Sequence, residues 1–205
     1  MSMDKPDVPQ SHFFDDASRC FCTENRFASE RKQWFVMRDL KRSNAKVPAY
    51  LLLASMQVEV FTPMKWVLRI RAGKRVREQI PFISDLLFVH DTAEALNPIV
   101  SKTPTLQYRY RKGGAYCEPV TVPDRDMQRF IHAIGTTESP RFYLPEEITP
   151  SMYGRRIRIV GGPLDGYEGS LITTRGSRVK RLLVELPRLL AVGVEVSPEY
   201  VQVVG

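Results

Sequence analysis

The sequence predicts an α+β chain of two unlike domains, a mixed α/β unit followed by a small all-β unit. Three observations carry that prediction. Two segments of helical period, Lys46 to Met56 and Pro123 to Ile134, are interleaved with short strand-like runs in the first two thirds of the chain. The stretch from Gly135 to about Pro150 then brings Thr-Thr-Glu-Ser-Pro and two further prolines, Pro145 and Pro150, a composition that suits a linker. Beyond it only short alternating runs and turns remain. The expected units are a flexible extension over 1–30, a mixed domain over 31–134, a linker over 135–150 and a β domain over 151–205.

Each element has a local reason. Residues 1–30 mix acids, polar residues and the pair Phe13-Phe14 without clear period, as an extension does. Trp34 to Leu40 is bulky and strand-like, and Lys41 to Asn44 is a polar turn. Pro48 suits the first turn of the helix that follows, where its missing N–H costs little. Val58 to Met64 returns to alternation. Lys65 to Arg71 and Arg75 to Ile80 read as the arms of a hairpin around Ala72-Gly73-Lys74. Leu86 to Val89 is a short apolar strand, and Thr92 to Val100 a helix interrupted or ended near Pro98. Leu106 to Arg111 alternates up to the Gly113-Gly114 turn. Asp124 and Asp126 place negative charge in the first turn of the last helix, where the helix dipole favours it.

Charge is unevenly spread. Residues 1–30 hold 3 basic and 6 acidic side chains, residues 31–134 hold 18 and 9, and residues 135–205 hold 9 and 8. A polyanion contact is therefore expected on the middle segment first. Cys20, Cys22 and Cys117 are too few and too scattered for a secreted disulfide framework, so unpaired thiols are expected. His12 lies near the Cys-x-Cys pair, but zinc needs more ligands than this chain groups together. No run is long and apolar enough to span a membrane, and the first residues lack a basic-then-apolar leader pattern. A cytoplasmic protein without membrane contact, metal or cofactor is the expectation.

The stretch from Arg155 to Gly169, RRIRIVGGPLDGYEG, carries the most information. Ile157 and Ile159 alternate with arginines as in a half-buried strand. Gly161 and Gly162 open backbone angles closed to other residues, and Pro163 fixes the next bend. Gly166 and Gly169 then allow a reversal into a second strand, Ser170 to Thr174. This pattern resembles the KOW motif, a small barrel module. With Trp34-Phe35-Val36, Phe61-x-Pro63-Met64, Leu87-Phe88-Val89 and Pro119 to Pro123, the order of elements over 33–205 resembles the NusG family of transcription factors. The long basic hairpin and PFISDLLFVHD are most similar to the specialised UpxY-type antiterminators of capsular-polysaccharide operons.

That resemblance implies function. Such factors bind bacterial RNA polymerase, receiving the tip of its clamp-helix coiled coil in an apolar depression, and they suppress pausing or termination. Leu86 and Phe88 align with the contacting positions, while an apolar strand of this length is equally well core. Phe61 and Met64 are candidates for the same depression, and Asn97 for a contact with the opposite pincer. Lys65, Arg69, Arg71, Lys74, Arg75 and Arg77 against the single acid Glu78 suit phosphates of upstream DNA; a solvated charged ribbon is the alternative. Lys41 and Arg42 lie where specialised paralogues touch the non-template strand. Leu164 stands where the housekeeping factor often has phenylalanine for gripping a ribosomal protein or termination factor. Tyr167 either supplies an aromatic contact to such a partner or packs on its own barrel.

The catalytic patterns are missing. There is no phosphate loop, no G-x-S-x-G and no H-E-x-x-H, and His12, His90 and His132 stand in different elements. The expected class is a non-enzymatic, operon-specific elongation regulator. A ribosome- or RNA-binding KOW protein is the alternative, opposed by the near-neutral balance of the last segment.

Overall fold

The computed structural model describes residues 31–40, 47–113, 117–173 and 179–204. Its class is α+β, as the sequence predicts. The first domain is built on β1 (Gln33–Asp39), which is paired on both of its edges. On one side it pairs with β5 (Leu87–Asp91), setting Val36 opposite Phe88, and β5 pairs in turn with β2 (Glu59–Phe61). On its other side β1 meets β6 (Leu106–Tyr108) and the two-residue β7 (Thr121–Val122). All these pairings are antiparallel.

Strand alternation divides the apolar residues between the two faces of this sheet. Phe35, Met37, Leu87 and Val89 pack with α1 (Ala49–Ser55) and α2 (Ala93–Lys102). Trp34, Val36, Leu86 and Phe88 pack with α3 (Asp124–Gly135) through Met127, Phe130 and Ala133.

Two details explain the helix ends. Pro48 occupies the N-cap of α1 and offers no side-chain acceptor, so buried Asp39 takes that role, accepting from the Ala49 N–H at 2.6 Å. Thr92 caps α2 by accepting from the Ala95 N–H. Helix α2 runs through Pro98 to Lys102, where an interruption was expected. Burial of Ala93 and Leu96 and the Thr92 cap hold the helix together despite the lost bond.

Between β2 and β5 lies a separate two-stranded ribbon, β3 (Met64–Arg71) and β4 (Lys74–Pro81), in register from Met64↔Pro81 to Arg71↔Lys74. Ala72 and Gly73 both have positive φ (48° and 75°), which identifies the two-residue hairpin turn whose twist matches the strands.

The second domain is a six-stranded antiparallel sheet. Its order is β13 (Val201–Val203), β9 (Tyr153–Ile159), β10 (Glu168–Thr173), β11 (Lys180–Leu186), β12 (Leu190–Glu195) and β8 (Arg141–Tyr143). Strand β8 falls inside the segment expected to be a plain linker: Phe142 and its neighbours pair with β12. Gly161 and Gly162 have φ of 86° and 71°, as the GGP turn requires, and Tyr200 packs against both. Gly169 sits inside β10 instead of opening it. A Cβ there would lie 2.7 Å from the Leu183 carbonyl oxygen, so close backbone approach explains that glycine.

Cys117 is disulfide-bonded, which corrects the expectation of unpaired thiols; Cys20 and Cys22 lie outside the described residues. No helix among the described residues is long and apolar enough to cross a membrane. Among the same residues no three His, Cys, Asp or Glu side chains gather as a metal site would need.

Candidate functional site

The ribbon collects the basic residues. All six cations, Lys65, Arg69, Arg71, Lys74, Arg75 and Arg77, are exposed. Registration sorts them onto two faces, because directly opposed residues in an antiparallel pair share a face. One face carries Lys65, Arg69, Arg71 and Lys74 together with Glu78, which holds Arg71 at 3.2 Å and Arg69 at 3.8 Å. The other carries Arg75 and Arg77 beside Trp66, Leu68 and Ile70. Arg77 lies over the indole of Trp66, 4.4 Å from the ring centroid.

The apolar face of the first domain is closed. The cluster that holds Leu86 and Phe88 continues through Met127 and Phe130 of α3 into Phe142, Leu164, Tyr167, Leu182 and Val192 of the second domain. Helix α3 thus packs on β1 on one side and on β11 and β12 on the other. Leu86 is 2% exposed and Phe88 fully buried, with Phe61 half-buried between the Phe88 and Phe130 rings. Phe82, just past the ribbon, packs at a tilt against Phe142 across the seam, with ring centroids 5.2 Å apart.

A polar clasp flanks this apolar seam. The Tyr167 hydroxyl donates to the carbonyl oxygen of Arg129 in α3 at 3.1 Å, and His132 Nδ1 lies 3.0 Å from the same hydroxyl. With the phenol hydrogen directed at Arg129, His132 Nδ1–H is the donor to the phenol oxygen. The Arg129 guanidinium covers the Tyr167 ring at 4.9 Å. Burial raises the Tyr167 pKa above its ordinary value, and the Arg129 charge partly opposes that rise.

Residues 32–131 match the family model described as transcription termination factor nusG. This stretch is similar to the NusG family. The match ends inside α3, before any strand of the second domain. As a whole the chain is similar to a solved structure of Thermotoga maritima NusG concerned with domain interaction in that protein. The two share 20% identity over 85% of this chain and 98% of that one, with a TM-score of 0.44. The comparison with curated proteins gives no match.

Within the NusG-type domain, the residues expected to meet polymerase do not form one open patch. Phe61, Leu86 and Phe88 share a cluster beneath α3. Met64 is half-buried at the root of the ribbon, opposite Pro81. Asn97 is on α2 and accepts a hydrogen bond from the Tyr108 hydroxyl at 3.1 Å, on the side of the sheet away from Phe88. Lys41 and Arg42 lie outside the described residues. Leu164 and Tyr167, expected to face a partner, are 5% and 8% exposed, and Tyr167 contacts α3 of the same chain.

Sequence reasoning missed Phe82, Arg129, His132 and Phe142, which form the seam. Their only signal was an aromatic residue on each side of a polar segment. The row Trp66, Leu68 and Ile70 was legible as alternation within the basic hairpin and went unused.

Proposed function

We propose that this chain is a transcription elongation factor that binds bacterial RNA polymerase through its NusG-type domain, acting as an operon-specific antiterminator of the UpxY kind. The family match over 32–131 carries the reading. In it, the clamp-helix coiled coil takes the face lined by Phe61, Met64, Leu86 and Phe88, and the six-cation ribbon contacts upstream or non-template DNA. Lys41 and Arg42 add a contact with the non-template strand, and Asn97 one with the opposite pincer. The second domain, read as KOW, offers Leu164 and Tyr167 to a ribosomal protein or another factor. The mechanism needs docking and charge, with no bond made or broken.

Burial of these residues adds a condition. Leu86, Phe88, Leu164 and Tyr167 cannot meet outside partners while α3 lies between the domains. Departure of the β domain from α3 frees Leu164 and Tyr167 and uncovers the edge at Phe82, and Leu86 and Phe88 are reached only when α3 also shifts on β1. The chain as described is a closed form, and its affinity for polymerase is reduced by the fraction of molecules that are open.

Co-elution of the full chain with core RNA polymerase tests this reading. Retention that increases when the seam is weakened supports it. Failure of both wild type and seam variants to bind an active polymerase removes it.

A further inference from the structure

The two faces of the β3–β4 ribbon differ in chemistry. On the Glu78 face, Arg69 and Arg71 share one carboxylate, and the exposed groups are otherwise mainly cationic. On the opposite face Leu68 and Ile70 are 73% and 76% exposed, and Trp66 is 47% exposed. Arg75 and Arg77 flank this row with no carboxylate partner among the described residues. Phosphate contact alone uses only cations. A row of three large exposed apolar side chains on a free ribbon is an aggregation hazard unless something covers it.

We propose that this face is a stacking platform for an unpaired nucleic-acid strand, with Trp66, Leu68 and Ile70 slotted against bases and Arg75 and Arg77 on the adjoining phosphates. The proposal rests on the reading of the ribbon as a nucleic-acid contact and assigns the face and the form of strand. Charge complementarity selects the occupant, since the ribbon bears six cations and one acid. Spacing agrees with it. Side chains two residues apart on one strand face stand about 6.8 Å from each other, which is twice the roughly 3.4 Å separation of stacked bases. Bases and side chains can therefore alternate along the row. Arg77 laid on the indole presents a planar cation, a surface on which bases stack as they do on aromatic rings. A duplex keeps its bases stacked on one another and offers this row little.

The test uses the full chain and a dye-labelled mixed-sequence oligonucleotide, unpaired and as duplex, followed by anisotropy over a range of salt. Leu68→Thr with Ile70→Thr removes apolar surface while keeping β-branched residues in an exposed strand. Arg69→Gln with Arg71→Gln is the comparison on the other face. The Thr pair is expected to weaken binding of the unpaired strand about tenfold with its salt slope unchanged, leaving the duplex nearly unaffected. The Gln pair flattens the salt slope for both forms. Wild-type affinity of the Thr pair for the unpaired strand, with a flattened slope in the Gln pair, overturns the platform and leaves the ribbon's phosphate contact standing. Equal loss on the duplex also overturns the platform. If wild type binds neither form at low salt, the ribbon is not a nucleic-acid contact and both readings fall together.

Discussion

Truncating Tyr167 to alanine loosens the seam from the β-domain side without touching the residues assigned to polymerase. Four interactions disappear: the hydroxyl's bond to the Arg129 carbonyl, the His132 Nδ1–H bond to the phenol oxygen, the guanidinium stacked on the ring, and the burial of the ring itself. A net hydrogen bond contributes about 1 kcal/mol, an exposed cation–π contact about 0.5–1 kcal/mol, and burial of an aromatic side chain about 1.5–3 kcal/mol. Part of the ring stays covered by its own domain, so the lower end applies, about 4 kcal/mol with both hydrogen bonds counted, or roughly 800-fold in the closed-to-open ratio. Tyr167→Phe keeps the ring and loses both hydrogen bonds, about 2 kcal/mol or roughly thirtyfold. Amide exchange along α3 reports the ratio, because closing buries α3 from both sides. The expected order of exchange rates is Tyr167→Ala, then Tyr167→Phe, then wild type, with protection of β9 to β12 retained. Unchanged α3 protection in the alanine variant would refute the assignment of the clasp.

Three further outcomes follow from local geometry. Asp39→Ala leaves the Ala49 N–H unpaired in a buried site, and thermal unfolding should show a loss of about 1–3 kcal/mol, largely recovered by Asp39→Asn. Gly169→Ala drives a methyl group into the Leu183 carbonyl and should destabilise the β domain by about 1–3 kcal/mol in denaturant melts, whereas an intact melt would refute the close approach. The Tyr167 phenol is held above its ordinary pKa of about 10 by burial, so the closed form binds the phenolic proton more tightly than the open form. Its contribution is complete below that ordinary value and is lost as pH rises through the raised one. Small-angle scattering should therefore show the wild type opening in that alkaline window and Tyr167→Phe losing this dependence.

Much of the fold was legible because its signals are local. Ala72-Gly73 marked the ribbon turn, the first-turn acids Asp124 and Asp126 marked α3, and Gly161-Gly162-Pro163 marked the turn after β9. Pro98 misled because a proline penalty is local while the burial of Leu96 that outweighs it is tertiary. Strand β8 was hidden for a similar reason: three residues between prolines carry no period, and only pairing with β12 makes them a strand. The seam was the least legible feature. Leu86 and Phe88 have the composition of an exposed docking patch and of a core alike, and the domain that covers α3 is distant in sequence. Burial also changes which variants are informative. Aspartates at Leu86 and Phe88, attractive on an exposed patch, would place carboxylates in a closed core and unfold the domain.

The decisive measurement is co-elution of wild type and Tyr167→Ala with active bacterial core RNA polymerase at matched concentrations. Polymerase binding through a closed NusG-type domain predicts that the alanine variant is retained more strongly than wild type, by a factor that follows its loss of α3 protection. Failure of both proteins to bind, or weaker retention of the opened variant, would contradict it.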